Sequence, residues 1–321
     1  MNLRKRKLLI THNVDQSLID SVERIVPDWE LITGRDASIW QGHLQDAEVI
    51  VGWKKEMKDL FEQDSKLRWL QSWSAGVNSM PLGKMQSRGI FLTSANGVHT
   101  FPISETIFAL MLGLTRKIHT YVRNQTQKTW EASGLKLEIH GKTIGIIGVG
   151  AIGKETAKIA KAFGMKVLGV RHSGKPDQSV DQMYKPDALN EVLPQCDYVV
   201  VTLPLTEETQ QMFGSDEFKQ MKQTAFFINI GRGPIVDEKA LITALEEKQI
   251  AGAGLDVFEK EPLDEQSLIW EMENVIVTPH TAGATEHYAK RVIEDIFIPN
   301  LKQYLNNQPP TLNLVDYKKG Y

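Results

Sequence analysis

Short, almost continuous apolar runs alternate with segments of helical periodicity along most of the 321-residue chain. Apolar strands that alternate with helices are typical of parallel sheets covered on both faces. Helices are predicted between such runs at 16–25, 152–163 and 238–247. The predicted strands are 8–10, 30–32, 49–51, 67–71, 90–93, 143–147, 167–170, 198–202, 225–229, 254–257 and 275–277. These strands are too numerous for one small sheet, which predicts two doubly wound parallel-sheet α/β domains with an intervening cleft.

Two further helical patterns indicate how the domains connect. One apolar helix is predicted at 103–120, ahead of a glycine-rich turn near the middle of the chain, and another at 286–306. A first α/β domain therefore precedes the domain that contains the turn. The 103–120 helix would connect the two, and the last helix would return to the first domain. A chain of 321 residues is long enough for two domains of ordinary size.

The composition excludes several classes of partner. A net charge of −3 disfavours nucleic acid, and no apolar run approaches the length of a membrane span. The basic run at 4–7 leads directly into the strand predicted at 8–10, which favours a solvated strand start over an address signal or a membrane patch. The lone Cys196 excludes an intramolecular disulfide and favours a reducing cytoplasm. Its apolar neighbours indicate a packed residue rather than a reactive thiol.

The glycine-rich turn has the G-x-G-x-x-G spacing of a dinucleotide-binding site, between a predicted strand and a predicted helix. Gly148 would permit the tight turn, Gly150 would let the backbone approach a pyrophosphate, and Gly153 would let the helix pack closely on the strand. The helix N-terminus would then offer free N–H groups to the phosphates.

The residue that follows the next predicted strand departs from the pattern of NAD sites. An acidic residue there would accept hydrogen bonds from the ribose hydroxyls, but the chain has Arg171, followed by His172, Ser173 and Lys175. A guanidinium pairs well with a phosphate, and this loop has almost no negative charge nearby. The sequence therefore favours NADP(H), with NAD(H) still open because Arg171 could instead stack on the adenine.

Three further motifs stand in a characteristic order. They are N-I-G-R-G at 229–233, L-D-V-F-E-K-E-P at 255–262 and T-P-H-T-A-G at 278–283. Together with the glycine motif, they make the chain resemble the D-isomer-specific 2-hydroxyacid dehydrogenases, from S-A-G at 74–76 to the terminal helix. The resemblance implies a flavodoxin-like substrate domain of residues 1–99 and 287–321 and a Rossmann cofactor domain of residues 100–286.

The resemblance also implies a catalytic triad and no metal. Arg232 would bind the carboxylate and polarise the ketone, because a guanidinium can contact both oxygens. His280 would donate the proton in reduction and accept it in oxidation, since imidazole ionises near physiological pH. Glu261 would hold His280 and favour its protonated form. Glu259 is the competing carboxylate, but the family places the acid directly before a proline, so Glu259 is expected to face solvent.

Other residues receive binding roles from the same resemblance. Ala75 and Gly76 would bring backbone N–H groups to the substrate carboxylate. Asp256 matches the position that binds the nicotinamide carboxamide, although a strand-end Asp could equally cap a turn. Trp53, Trp73 and Trp130 are candidate walls of the substrate pocket. The remaining cofactor contacts would be Ala151, Ile152, Leu203, Pro204, Ile230, Gly231 and Gly283.

The resulting expectation is a cytoplasmic reductase of the glyoxylate/hydroxypyruvate type. It would convert a small 2-oxo acid to the D-2-hydroxy acid, and the reverse, with NADP(H) preferred. A homodimer is expected through the cofactor domain, with the 103–120 helix as a natural contact. Two alternatives remain, namely an NAD enzyme like phosphoglycerate dehydrogenase and a non-catalytic, cofactor-sensing protein like the C-terminal-binding-protein corepressors.

Overall fold

The computed structural model describes residues 5–61, 64–77, 79–132, 134 and 136–318, and its contacts form two compact units. Unit 1 comprises Met1–Val98 with Thr285–Tyr321, and unit 2 comprises His99–Ala284. Arg4, the first residue of the basic run, lies outside the described residues. Each unit is built on a parallel sheet, which confirms the predicted fold class of two parallel-sheet α/β domains.

Unit 1 contains a five-stranded parallel sheet in the order β2-β1-β3-β4-β5, which is the flavodoxin-like order. Its strands are β1 (Lys7–Ile10), β2 (Glu30–Thr33), β3 (Val49–Val51), β4 (Trp69–Gln71) and β5 (Phe91–Thr93). Its helices are α1 (Gln16–Glu23), α2 (Ala37–Trp40), α3 (Leu82–Ser87), α10 (Tyr288–Lys290) and α11 (Ile298–Leu305), with a π-helical segment at Arg291–Phe297 that joins the last two.

Successive strand residues of unit 1 point to opposite faces, and both faces are covered. Leu9 and Ile50 belong to one apolar core, whereas Leu8 and Val49 belong to the other, which includes Phe297 from the C-terminal helical segment. Burial on both faces explains why these strands read as continuous apolar runs.

The basic run leads into β1 with Lys5 and Arg6 exposed, and some of its side chains also contact unit 1. Arg6 lies over the Trp29 ring at 4.0 Å, and its Nε donates a hydrogen bond to Glu48 (2.8 Å). Lys7 Nζ lies 3.5 Å from a carboxylate oxygen of Glu30. These basic side chains therefore anchor the start of β1 within unit 1.

Unit 2 contains a seven-stranded parallel sheet in the order β12-β11-β10-β9-β6-β7-β8. The strands are β6 (Thr143–Ile147), β7 (Lys166–Val170), β8 (Gln182–Tyr184), β9 (Tyr198–Val201), β10 (Phe226–Asn229), β11 (Gly252–Leu255) and β12 (Val275–Val277). The strand order reverses between β6 and β9, which is where Rossmann folds bind dinucleotides. The helices are α4 (Thr100–Thr115), α5 (Ile118–Thr126), α6 (Ala151–Ala162), α7 (Leu189–Val192), α8 (Ser215–Gln220) and α9 (Glu238–Glu246).

The single helix predicted at 103–120 is wrong, because two helices occupy this stretch. Helix α4 ends at Thr115, and Lys117 adopts a left-handed conformation (φ +54°) before α5 begins. A left-handed residue interrupts the helical hydrogen-bond ladder. Helix α4 is packed in the core of unit 2, whereas α5 has no buried residue.

Cys196 is fully buried, and its Sγ donates to Val192 O (3.2 Å). Burial raises the pKa of this thiol to about 12. The thiol is therefore protonated at neutral pH, which agrees with the predicted packing role.

Candidate active site

The glycine-rich turn joins β6 to α6 with the geometry that its spacing predicts. Gly148 has φ +113°, and a Cβ on it would lie 2.9 Å from Thr202 Oγ1. A Cβ on Gly153 would lie 2.5 Å from Gly148 O, so helix and strand are in direct contact there. At Gly150, by contrast, a Cβ would meet nothing within 4 Å. The turn is therefore packed tightly on its protein side and open where a pyrophosphate would approach.

The start of α6 fits the same ligand. This helix has 12 residues and begins after Gly150 without a side-chain cap. The N–H groups of its first turn, at Ala151, Ile152 and Gly153, have no partner within the helix. They remain available to an anion, so the residues present fit a bound dinucleotide.

Arg171 directly follows β7, and its backbone N–H donates to Tyr184 O (3.0 Å). Within the part of the chain that the structure describes, its guanidinium forms no hydrogen bond or ion pair. His172 and Ser173 are exposed beside it. The loop therefore presents an unpaired cation and neighbouring donors, as a 2′-phosphate would require.

The same loop contains two carboxylates, Asp177 and Asp181, and Asp181 accepts hydrogen bonds from Lys161 Nζ (2.7 Å) and the Val167 N–H (2.7 Å). Asp177 accepts hydrogen bonds from the Oγ and N–H of Ser179 (2.6 and 3.1 Å), and its Oδ2 lies 2.9 Å from Lys154 Nζ. The bonds from Ser179, followed by that from Lys154, hold the pKa of Asp177 well below its usual range. This negative charge is therefore matched by a cation on α6.

The loop after β10 carries Arg232 and is held by Asn229, which has no site role in the sequence-based prediction. Asn229 is buried; its Oδ1 accepts from the Gly231 N–H (3.0 Å) and its Nδ2 donates to Arg232 O (3.3 Å). Arg232 is exposed, with one guanidinium N–H donated to Gly231 O (2.6 Å). A Cβ on Gly231 would lie 2.7 Å from Leu203 O, so the loops after β9 and β10 touch.

His280 and Glu261 form a hydrogen-bonded pair, with 2.7 Å between Nδ1 and Oε2. The other oxygen of Glu261 accepts from the Phe258 N–H (3.1 Å). Partial burial opposes ionisation of Glu261, but the hydrogen bonds from His280 and Phe258 and the charge of Arg232 outweigh it, so the pKa of Glu261 lies below its usual range. Glu261 is therefore an ionised carboxylate that orients the imidazole. Glu259 is exposed and does not take part in this pair.

Asp256 organises the loop that carries His280. Its buried carboxylate accepts from Thr278 Oγ1 (2.6 Å), from the Thr281 N–H (2.9 Å) and from the Ala282 N–H (3.0 Å). His280 itself has φ +53°, and its N–H donates to Asp256 O (2.9 Å). The turn-holding role is thus what the contacts show for Asp256, and its contact with a nicotinamide stays a prediction.

The remaining predicted cofactor residues lie in loops at the same carboxyl edge of the sheet. Ile230 is buried, and Pro204 O accepts from Thr209 Oγ1 (2.7 Å). Gly283 O lies 2.8 Å from His99 Nδ1, and a Cβ on Gly283 would lie 2.7 Å from that atom. The triad residues and the cofactor residues predicted in unit 2 thus all follow the carboxyl ends of strands, which form the ligand-binding edge of such sheets.

The predicted substrate loop at 74–76 lies in unit 1, after β4. Ser74 Oγ donates to Gly76 O (2.6 Å), and a Cβ on Gly76 would meet nothing within 4 Å. Trp73 stacks on His12, Trp53 stacks on Phe61, and the Trp130 side chain is fully exposed. The roles of these residues toward a substrate stay predictions.

Comparison with known proteins agrees with this geometry. The family model of the NAD binding domain of D-isomer specific 2-hydroxyacid dehydrogenases matches residues 108–282. A glyoxylate reductase from Pyrococcus furiosus is 34% identical over 323 residues, covering 96% of this chain and 95% of that protein. A structure of a D-isomer specific 2-hydroxyacid dehydrogenase family protein from Aeromonas salmonicida superimposes with a TM-score of 0.84 at 32% identity, covering 98% and 99% of the two chains.

A second solved structure carries a cofactor. An NADPH-dependent glyoxylate/hydroxypyruvate reductase from Sinorhizobium meliloti, in complex with NADP and sulfate, superimposes with a TM-score of 0.80 at 27% identity, covering 99% of this chain and 100% of that one. The chain belongs to the D-isomer specific 2-hydroxyacid dehydrogenases, which confirms the predicted family and the predicted oxidoreductase class. Among the residues the structure describes, no helix is long and apolar enough to cross a membrane.

Proposed function

We propose that the protein reduces a small 2-oxo acid of the glyoxylate or hydroxypyruvate type to the D-2-hydroxy acid, and catalyses the reverse reaction, with NADPH as the preferred reductant. The observation that carries the proposal is the pair formed by His280 and ionised Glu261, since it provides an oriented proton donor. This pair and Arg232 lie at the carboxyl edge of a sheet whose central turn fits a dinucleotide.

Each member of the triad has a distinct task in reduction. The Arg232 guanidinium binds the substrate carboxylate and polarises the ketone oxygen. Nδ1 of His280 is occupied by Glu261, which leaves Nε2 to pass a proton to that oxygen. Ionised Glu261 stabilises the protonated imidazole before transfer. A reduced nicotinamide, when bound, supplies the hydride for the ketone carbon.

Other residues support the triad by holding it or by binding substrate. Asp256 fixes the backbone around His280, and Asn229 fixes the backbone around Arg232. From unit 1, the N–H groups of Ala75 and Gly76 would donate to the substrate carboxylate. These contacts would position the ketone without supplying a reacting group.

The preference for NADPH rests on the Arg171 loop. An unpaired guanidinium with exposed neighbours suits a 2′-phosphate, and the carboxylate of Asp177 is already bound to Lys154. The relative from Sinorhizobium meliloti is NADPH-dependent, which supports the same preference here.

A homodimer remains part of the proposal. The helix predicted to form the contact is divided at Lys117, and the exposed apolar side chains on this stretch are Phe101, Ile118 and Val122. Sedimentation equilibrium of the purified protein tests the dimer, and a monomer at micromolar concentration would contradict it.

Steady-state kinetics test the proposed reaction. The purified protein should oxidise NADPH when glyoxylate or hydroxypyruvate is added, and chiral chromatography of the hydroxypyruvate product should show the D-isomer. Arg232→Ala should abolish turnover, because it removes substrate binding and ketone polarisation together. An L-product, or no turnover with either acid, would contradict the proposal.

A further inference from the structure

We infer that Glu238 is a positioning residue for proton transfer, because its carboxylate joins the segment that carries Arg232 to the turn that carries Glu261. The inference rests on the proposed function and deepens it, since it adds a residue to the machinery of the same reaction. Glu238 lies outside the sequence motifs from which the triad was predicted. All of the residues concerned belong to unit 2.

The loop that carries Arg232 packs directly against the turn that carries Glu261. A Cβ on Gly233 would lie 2.5 Å from Glu259 N and closer still to Phe258 O, so the backbones of the two segments are in contact. Because packed segments leave no free space between them, a shift of one backbone displaces the other. The position of the turn therefore depends on what holds it against this loop.

Glu238 provides a hydrogen bond across this contact. It lies in the first turn of α9, shortly after the Arg232 loop, and its half-buried carboxylate accepts from the Glu259 N–H, with 3.1 Å between Oε2 and N. Helix α9 does not need this carboxylate as a cap, because Asp237 Oδ1 already accepts from two N–H groups of its first turn (3.0 and 3.1 Å). The Glu238 carboxylate is used on the turn that carries Glu261 instead.

The turn at 258–261 is held through two successive N–H groups. The Phe258 N–H donates to Glu261 Oε1 (3.1 Å), and the Glu259 N–H donates to Glu238. Glu261 Oε2 then lies 2.7 Å from His280 Nδ1. Loss of the Glu238 carboxylate would leave the Glu259 N–H without this partner and would free the turn to shift. Glu238 thus acts on His280 through Glu261.

A positioning role can be separated from a contribution to helix stability. An acidic residue in the first turn also interacts favourably with the partial positive charge of a helix N-terminus. Glu238→Gln removes the charge but keeps an acceptor oxygen at the same reach. Glu238→Asp keeps the charge but shortens the side chain by one methylene, which withdraws the acceptor from the Glu259 N–H. The two variants therefore give opposite results for the two roles.

Steady-state kinetics of glyoxylate reduction by the full-length protein test the inference. Glu238→Ala should lower kcat by at least about fivefold with the KM for NADPH near wild type, because the proton donor is misplaced while the glycine-rich turn is unchanged. Glu238→Asp should show a similar loss even if Glu238→Ala folds poorly, whereas Glu238→Gln should keep most of the wild-type kcat. The matched control Glu246→Ala removes an exposed carboxylate at the other end of α9 and should leave kcat unchanged.

A double variant tests whether Glu238 acts through Glu261. In a Glu261→Ala background no carboxylate remains to be positioned, so adding Glu238→Ala should cause little further loss of kcat. Wild-type kcat in Glu238→Ala and Glu238→Asp, a loss in Glu238→Gln as large as in Glu238→Asp, or losses that multiply in the double variant would each overturn this inference alone. Absence of 2-oxo acid reduction by the wild type would overturn the proposed function and the inference with it.

Discussion

Lys154 Nζ lies 2.9 Å from Asp177 Oδ2, so an ion pair joins the first turn of α6 to the loop that begins with Arg171. The pair keeps Asp177 from competing for Arg171, and Asp181, the other carboxylate of that loop, is paired with Lys161. Lys154→Met should free Asp177 to repel a 2′-phosphate or to pair with Arg171. The KM for NADPH should then rise roughly two- to fivefold, with a smaller change for NADH.

The double variant Lys154→Met/Asp177→Asn separates this effect from general damage to the loop. It should restore the KM for NADPH toward the wild-type value, because no unpaired carboxylate remains. Equal increases in KM for NADPH and NADH, without rescue in the double variant, would show that the ion pair has no part in cofactor selection.

The His280–Glu261 pair makes a prediction about proton transfer. His280→Ala should lower kcat for reduction by roughly a hundredfold to ten-thousandfold while NADPH binding stays near wild type. Glu261→Gln should also lower kcat for reduction, because an ionised carboxylate no longer orients the imidazole. Glu259→Gln is the matched control, since that exposed carboxylate lies two residues away, and its kcat should stay near wild type. A wild-type kcat in Glu261→Gln would refute the assigned role of Glu261.

The contacts of Glu48 predict how the free energy of unfolding depends on pH. Burial raises the pKa of Glu48, but hydrogen bonds from Arg6 and Tyr304 outweigh it and hold the pKa below its usual range. The stabilisation is therefore present above the unfolded pKa, about 4.3, and is lost as the pH falls through the folded value. Glu48→Gln should lower the free energy of unfolding by about 1 kcal/mol at neutral pH and by much less in acid.

Urea titrations at neutral and acidic pH measure this difference. Glu30→Gln serves as the control, because the Glu30 carboxylate is more exposed and lies 3.5 Å from Lys7. A Glu48→Gln deficit that does not change with pH would mean that the charge of Glu48 is not what stabilises unit 1.

Substitutions at two glycines of the glycine-rich turn should affect stability and cofactor binding differently. Gly153→Ala should destabilise the protein by about 1–3 kcal/mol, because its Cβ would lie 2.5 Å from Gly148 O. Gly150→Val should leave the thermal midpoint nearly unchanged and raise the KM for NADPH, because its side chain would enter open space where a pyrophosphate would bind. The same pattern of stability and KM in both variants would contradict this assignment of the two faces of the turn.

Both parallel sheets could be predicted from sequence because strands such as β3 and β9 are buried on both faces and read as unbroken apolar runs. Strand β8 could not, since Gln182–Tyr184 is only partly buried and carries little apolar signal. The break at Lys117 was missed because apolar spacing continues on both sides of a single left-handed residue. The sequence predicts the start of β11 at residue 254, whereas the strand begins at Gly252, which has no side chain to mark burial.

The candidate site also has residues that could be predicted from sequence and contacts that could not. Arg232, Glu261 and His280 could be named from motifs, because short sequence patterns place them at strand ends. The supporting contacts could not, since Asn229 and Lys154 act through partners that only the folded chain brings near. No spacing rule links Lys154 to Asp177.

The ratio of kcat/KM for NADPH to that for NADH in glyoxylate reduction, measured for the wild type and Arg171→Asp, tests the central claim most directly. The wild type should favour NADPH by at least about tenfold, and Arg171→Asp should invert the preference, since the carboxylate repels a 2′-phosphate and accepts ribose hydroxyls. A wild type that prefers NADH, or a variant whose ratio is unchanged, would contradict the account.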